Sequence, residues 1–183
     1  MSAVTAVKAA SMTADEATRR FHDEIFVFDA LSIAYVLEDK YAERCLTAGV
    51  NATNATFALE ENWDTVLRNV ERNLTAIEKS PYLKFCLTAD DMLAAKKEGK
   101  LGVVFGTQGA TMLEDKLWRL ELLVRLGLRV LGLAYTTANG FGDGCGEKRD
   151  AGVSYLGEGR IELANSLPVM IDLSHCGPRT RAA

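Results

Sequence analysis

The sequence predicts an α/β fold built on a parallel sheet, and three observations carry that prediction. Short apolar runs with β-branched residues recur along the chain. Amphipathic helical stretches, several with their own start and stop residues, separate them. The last run, Leu167 to Ile171, gives way to Asp172, Ser174 and His175 and then breaks at Gly177-Pro178. Parallel α/β folds place their chemistry at such C-terminal strand ends.

Taken in order, Thr13 and Glu16 form a capping box that opens a helix running through Arg19, Arg20 and Phe21. His22 lies near its end, where a polar or cationic ring suits the helix dipole. Glu24 to Leu31 is almost continuously apolar, the pattern of a strand buried on both faces. Leu37 to Cys45 is mixed and charged, a loop or short helix. Gly49 to Phe57 reads as a second strand, unusually polar. Trp63 to Glu78 carries Trp63, Val66, Leu67, Val70, Leu74 and Ile77 at helical spacing, a core-facing stripe. Thr88 to Asp91 caps a helix that runs through Lys97 and stops at Gly99.

Leu101 to Gly106 is the third strand and leads into Thr107-Gln108-Gly109. Asp115 to Leu126 is helical, with Gly127 as its stop. Leu128 to Tyr135 is the fourth strand. Asn139 to Glu147 is a glycine-rich loop that matches neither phosphate-binding signature, so it reads as a flexible surface loop. Leu156 to Ser166 is a helix, and the strand within Leu167 to Cys176 is the fifth and is expected to be buried. These make about five βα units in a single domain over residues 1–183. An open doubly wound sheet ends naturally there, whereas a closed barrel needs eight strands.

The chain has 183 residues, 48% hydrophobic and 25% charged, with a net charge of −4. That is a globular composition without the basic footprint of a nucleic-acid binder. No apolar run reaches the length of a membrane span, and Met1 to Met12 lacks the apolar core of a secretory signal, so a cytoplasmic protein is expected. Cys45, Cys86, Cys145 and Cys176 form no Cys-x-x-Cys pair and are expected to be free thiols. The sequons at Asn51, Asn54 and Asn73 read as chance occurrences.

The strand ends offer Asp29, Gln108, Tyr135, Asp172 and His175. A carboxylate and an imidazole at separate strand ends suit a divalent metal that activates water. On local grounds alone, a lone histidine there is more simply read as a hydrogen-bonding cap of the strand end.

Gly152-Val153-Ser154-Tyr155-Leu156-Gly157, then Ile161-Glu162-Leu163-Ala164-Asn165, then Ile171-Asp172-Leu173-Ser174-His175 follow one another at a spacing that resembles the membrane (renal) dipeptidases, peptidase family M19. Leu126-Gly127-Leu128-Arg129 is similar to a further stretch of that family, as is Asn139, and the likeness reaches more weakly to Phe26–Asp29. The resemblance covers the first half of a family member. It implies a partial (β/α)8 TIM barrel of the amidohydrolase type. It also implies a two-zinc site that hydrolyses dipeptides or related small amides.

By the same resemblance His175 stands at a metal-ligand position, Asn139 and Asp29 at substrate-binding positions, and Gln108 where the family has its bridging glutamate. Tyr135 replaces a substrate-contacting histidine. Leu31 and Ile33 replace two first-strand metal ligands. Apolar side chains and a neutral amide leave a dication without charge partners, so weak or no binding of two zinc ions is expected. Gln108 and Tyr135 are then the candidate catalytic residues, as donors to a substrate carbonyl, and His175 is a base or single-metal ligand.

The alternative is a pseudoenzyme that binds a small molecule or protein partner in the same pocket. A doubly wound nucleotide binder rests on βα alternation alone. The expected partner is a small peptide or amide. If the chain ends at Ala183, exposed strand edges predict a homodimer or aggregation.

Overall fold

The computed structural model describes residues 16–183, so the Thr13 capping box lies outside the described residues. Six strands, β1 (Phe28–Ile33), β2 (Ala52–Ala58), β3 (Leu83–Phe85), β4 (Leu101–Thr107), β5 (Leu128–Gly132) and β6 (Met170–Asp172), pair in parallel throughout. The helices are α1 (Glu16–Glu24), α2 (Asp39–Thr47), α3 (Trp63–Lys79), α4 (Ala89–Lys97), α5 (Leu117–Arg125), α6 (Tyr155–Asn165) and α7 (Pro178–Ala182).

The sheet order is β1-β2-β4-β5-β6, with β3 paired to the first residues of β4. Strands therefore sit side by side in chain order, with helices alternating between them. A doubly wound sheet reverses its order part-way, and this one does not. The arrangement is half of a (β/α)8 barrel, and the doubly wound nucleotide-binder reading is set aside.

Alternation along the strands separates two faces. Ala55 and Phe57 of β2, Val103 and Phe105 of β4 and Leu131 of β5 belong to the main core. There they join Val66, Val70 and Ile77 of α3 and Leu120 and Leu123 of α5. Phe105 is the hub, with ring centroids 5.5 Å from Phe57 and 4.7 Å from Phe85. Val104 points the other way and meets Cys86 and Ala95, with Met92 packed against them.

Local signals set the helix ends where expected. Thr88 Oγ1 accepts the Asp91 N–H at 3.1 Å, and the Asp91 carboxylate accepts the Thr88 N–H at 2.9 Å, a complete capping box. Asn62 caps α3 and Ser154 caps α6. Gly127 ends α5 at φ +106°, where a side chain would be strained. The charged stretch after Leu37 is the helix α2.

The strands differ from the sequence expectation in several places. The first begins at Phe28, not Glu24, and is not buried on both faces: Leu31 and Ile33 remain 40% and 47% exposed. The last is not buried either, since Met170 is 63% exposed. Both form edges of the open sheet, with a neighbour on one side only among the described residues. β3 brings the strand number to six; at three residues it is too short to show a period. The polar second strand is fully buried, Thr53, Asn54 and Thr56 included. Asn54 and Asn73 are buried, so those two sequons are not surface acceptors.

Candidate active site

Parallel pairing puts every strand's C-terminal end on one side of the sheet. Gln108 directly follows β4, Tyr135 comes just after β5 and His175 just after β6. These three strands are neighbours. The Tyr135 and His175 rings are in contact, with centroids 4.4 Å apart and planes tilted by 52°.

Gln108 is held from both sides. Its N–H donates to the Ala58 carbonyl at the end of β2 at 2.8 Å. On its other side Gly132 lets β5 approach so closely that a Cβ there would lie 2.3 Å from the Gln108 carbonyl carbon. The next residue, Gly109, lies tight against the Leu59 carbonyl, which a Cβ would meet at 2.3 Å, and at ordinary contact distance from Tyr135, whose Cβ would be 3.6 Å away. The structure thus brings Gln108, Tyr135 and His175 to one stretch of the rim.

His175 has φ +68°, in the left-handed region. Histidine enters it more readily than most residues, and such backbone persists where its surroundings fix it. The surroundings here are the segment 133–154. The Cys145 N–H donates both to the His175 carbonyl at 2.6 Å and to the Tyr135 carbonyl at 3.3 Å, so one donor spans the two candidates. Gly177 N–H donates to the Asp143 carbonyl at 2.9 Å, and Gly144 bridges Cys176. His175 is left exposed and Cys176 is buried, on opposite sides of the turn, which separates the adjacent Cys and His. Burial pushes the Cys176 thiol up.

The glycine-rich segment is therefore not a loose surface loop. Phe141, Gly142 and Gly144 are buried within it. Asn139 organises it: its Nδ2 donates to the Leu133 carbonyl at 2.8 Å, and its Oδ1 accepts the Phe141 and Gly142 N–H groups at 2.9 and 3.3 Å. The Asn139 amide is committed to the loop rather than to the open rim. Asp150 ties the loop to α7, accepting from the Arg179 and Gly152 N–H groups at 2.5 and 3.1 Å and from Thr180 Oγ1 at 3.3 Å. Burial pushes the Asp150 carboxyl up, but these hydrogen bonds outweigh it and hold it below the ordinary carboxylate range.

Asp29 stands apart from the other three. It is the second residue of β1, not its end, because the strand starts later than the apolar run suggests. Its carboxylate accepts the Leu31 N–H at 3.2 Å and the Ser32 hydroxyl at 2.5 Å, bracing the register shift between Asp29 and Ser32. Thr53 Oγ1 adds a longer bond at 3.4 Å. The residues nearer the tip of β1 are Leu31 and Ile33, which project apolar surface.

Three polar groups escaped the reading of the sequence. Asn54 and Thr56 alternate on the face of β2 opposite Phe57, and Asn54 Oδ1 is buried without a partner among the described residues. A Cβ at Gly106 would lie 2.1 Å from that oxygen, so glycine makes room for the amide. Glu60, beyond β2, accepts from the Thr137 N–H and hydroxyl at 3.2 and 2.9 Å and ties the β2 and β5 loops together. The every-second-residue pattern Ala52-Asn54-Thr56-Ala58 was the signal available in the sequence for the first two.

A family model, the membrane dipeptidases (peptidase family M19), matches residues 19–183. The chain belongs to the membrane dipeptidase family. An uncharacterized dipeptidase of Schizosaccharomyces pombe is 34% identical over 103 residues, covering 54% of this chain and 25% of that protein. A solved amidohydrolase of Pseudomonas aeruginosa superposes with a TM-score of 0.81 at 30% identity, over 89% of this chain and 50% of that one. A metallopeptidase of Rhodobacter sphaeroides, solved with a phosphinate mimic of the dipeptide L-Ala-D-Ala, shares the fold at a TM-score of 0.72 and 18% identity, over 85% of this chain and 60% of that one. The chain thus spans 50% and 60% of the length of these two solved structures and a quarter of the curated relative.

The family resemblance implies two zinc ions, and the side chains here do not fit them. Among the described residues no group of three or more His, Cys, Asp or Glu is arranged to hold a metal ion. Leu31 and Ile33 offer no donor atom, and the buried Gln108 amide brings no charge to bridge two cations.

Proposed function

We propose that this chain forms the substrate-facing rim of a dipeptidase-type barrel that cleaves dipeptides or related small amides. The observation that carries the reading is the contact of Tyr135 with His175 beside Gln108, at the strand ends of a dipeptidase-family half-barrel. In the reaction the His175 imidazole takes a proton from water as the oxygen attacks the amide carbonyl. The Tyr135 hydroxyl and the Gln108 amide N–H donate to the carbonyl oxygen as it gains charge. The same imidazolium then protonates the leaving nitrogen as the C–N bond breaks. Asn139 acts by shaping the loop that holds Tyr135, and Asp29 by bracing β1.

The second reading, binding without turnover, is favoured by the apolar residues toward the tip of β1. A cytoplasmic location is part of the proposal. The four cysteines stand unpaired in the fold, which is compatible with a reducing compartment. Among the described residues no helix is long and apolar enough to cross a membrane.

The test is a hydrolysis screen on dipeptides and small amides, with the protein expressed from its complete reading frame. Turnover that falls at least about 100-fold in His175→Ala supports cleavage. Turnover untouched by His175→Ala removes that residue from the mechanism. Ligand binding with no turnover selects the second reading.

A further inference from the structure

We infer that the mouth of this half-barrel takes a small amide with an apolar side chain, and takes it without a pair of divalent cations. The location of the mouth rests on the reading above; the chemistry of its walls is a separate observation. On one sheet edge, Leu31 and Ile33 of β1 are 40% and 47% exposed. On the other edge Leu173, between β6 and His175, is 39% exposed. Between these edges the buried polar groups on the strands are neutral: Asn54 on β2 and Gln108 after β4.

The carboxylate nearest the first edge, Asp29, is engaged by Ser32, Thr53 and the Leu31 N–H. Asp172 at the end of β6 accepts the Ser174 N–H at 2.8 Å. A divalent cation needs anionic or imidazole donors at bonding distance to offset the loss of its hydration shell. Leu31 and Ile33 cannot supply them, and they instead present surface that gains by covering an apolar group. The Asn54 side-chain N–H is spent on the Ala30 carbonyl at 3.0 Å, so the Gln108 amide and the unpartnered Asn54 Oδ1 are what suit the carbonyl and N–H of a peptide-like ligand.

The experiment uses the protein from its complete reading frame, dialysed against zinc-free buffer. Metal content is measured by plasma mass spectrometry, and zinc chloride is titrated calorimetrically. The expected result is less than one equivalent of retained zinc. In addition, the Leu31→His/Ile33→Asp/Gln108→Glu variant should bind zinc more than about tenfold tighter than the parent. Two tightly held zinc ions in the parent overturn the inference and leave the peptide-cleaving reading standing. Should the triple variant fail to fold by circular dichroism, the parent's zinc content still decides.

The ligand half is read with Leu-Leu and Asp-Asp as probes on the same zinc-free protein. Tighter binding of Leu-Leu that Leu31→Asp reverses supports it; equal binding of the two, or no binding of either, overturns it. No turnover of Leu-Leu, together with its tight zinc-free binding, supports this inference while ending the proposal of cleavage.

Discussion

Gln108, Tyr135 and His175 owe their positions to small backbone facts that a sequence hides. Gly132 is one. Alanine there puts a methyl carbon against the Gln108 backbone, and backbone cannot swing aside as a flexible side chain can. Gly132→Ala should cost about 1–3 kcal/mol of stability, read from the urea midpoint at unchanged m-value.

Asp150 is another such residue. Its carboxyl is held below the ordinary range in the fold, so ionised Asp150 favours the folded state. That contribution is fully present above the unfolded value of about 3.9 and is lost as pH falls through the lower folded value. Asp150→Asn should flatten the acid side of the stability profile, below about pH 4 in urea titrations, and an unchanged profile would contradict the role given to it. The strand-end places of Gln108, Tyr135 and His175 were legible in the sequence because polar residues end apolar runs. The bracing of those residues was not, because the partners lie far along the chain, as Cys145 does from His175 and Ala58 from Gln108.

Elements differ in how much of their cause is local. Helix α4 was legible almost to the residue, since its stop and its capping box lie within the segment itself. Thr88→Ala removes the acceptor for the Asp91 N–H and should destabilise the chain by about 1 kcal/mol in urea unfolding. Strands answer to their neighbours instead. β1 was misplaced because an apolar run marks burial, not pairing, and pairing with β2 starts only at Phe28. β3 owes its existence to the first residues of β4. Phe57 of β2, 4% exposed and edge-on to Phe105, ties the sheet to its outer helices. Phe57→Ala should cost about 3–5 kcal/mol.

At the largest scale the described residues form a half-barrel with open edges at β1 and β6, and its strand order separates it from a doubly wound sheet. Exposed Phe28 and Met170 lie on edge strands whose backbone groups lack a neighbour on one side among the described residues. The 183-residue chain alone should therefore self-associate, seen as a mass above monomer in light scattering after gel filtration. Met170→Lys should reduce that association. A clean monomer would show that the edges are blunted by some other means.

The claim on which these scales meet is that His175 faces the ligand while His22, on α1, does not. The most direct measurement is nuclear magnetic resonance of the imidazole signals in histidine-labelled protein, assigned with His22→Gln and His175→Gln, as a non-hydrolysable dipeptide analogue is added. The account predicts that the His175 ring signals shift progressively to saturation while those of His22 stay in place. Movement of His22 alone, or of neither ring at ligand concentrations where calorimetry shows binding, would contradict it.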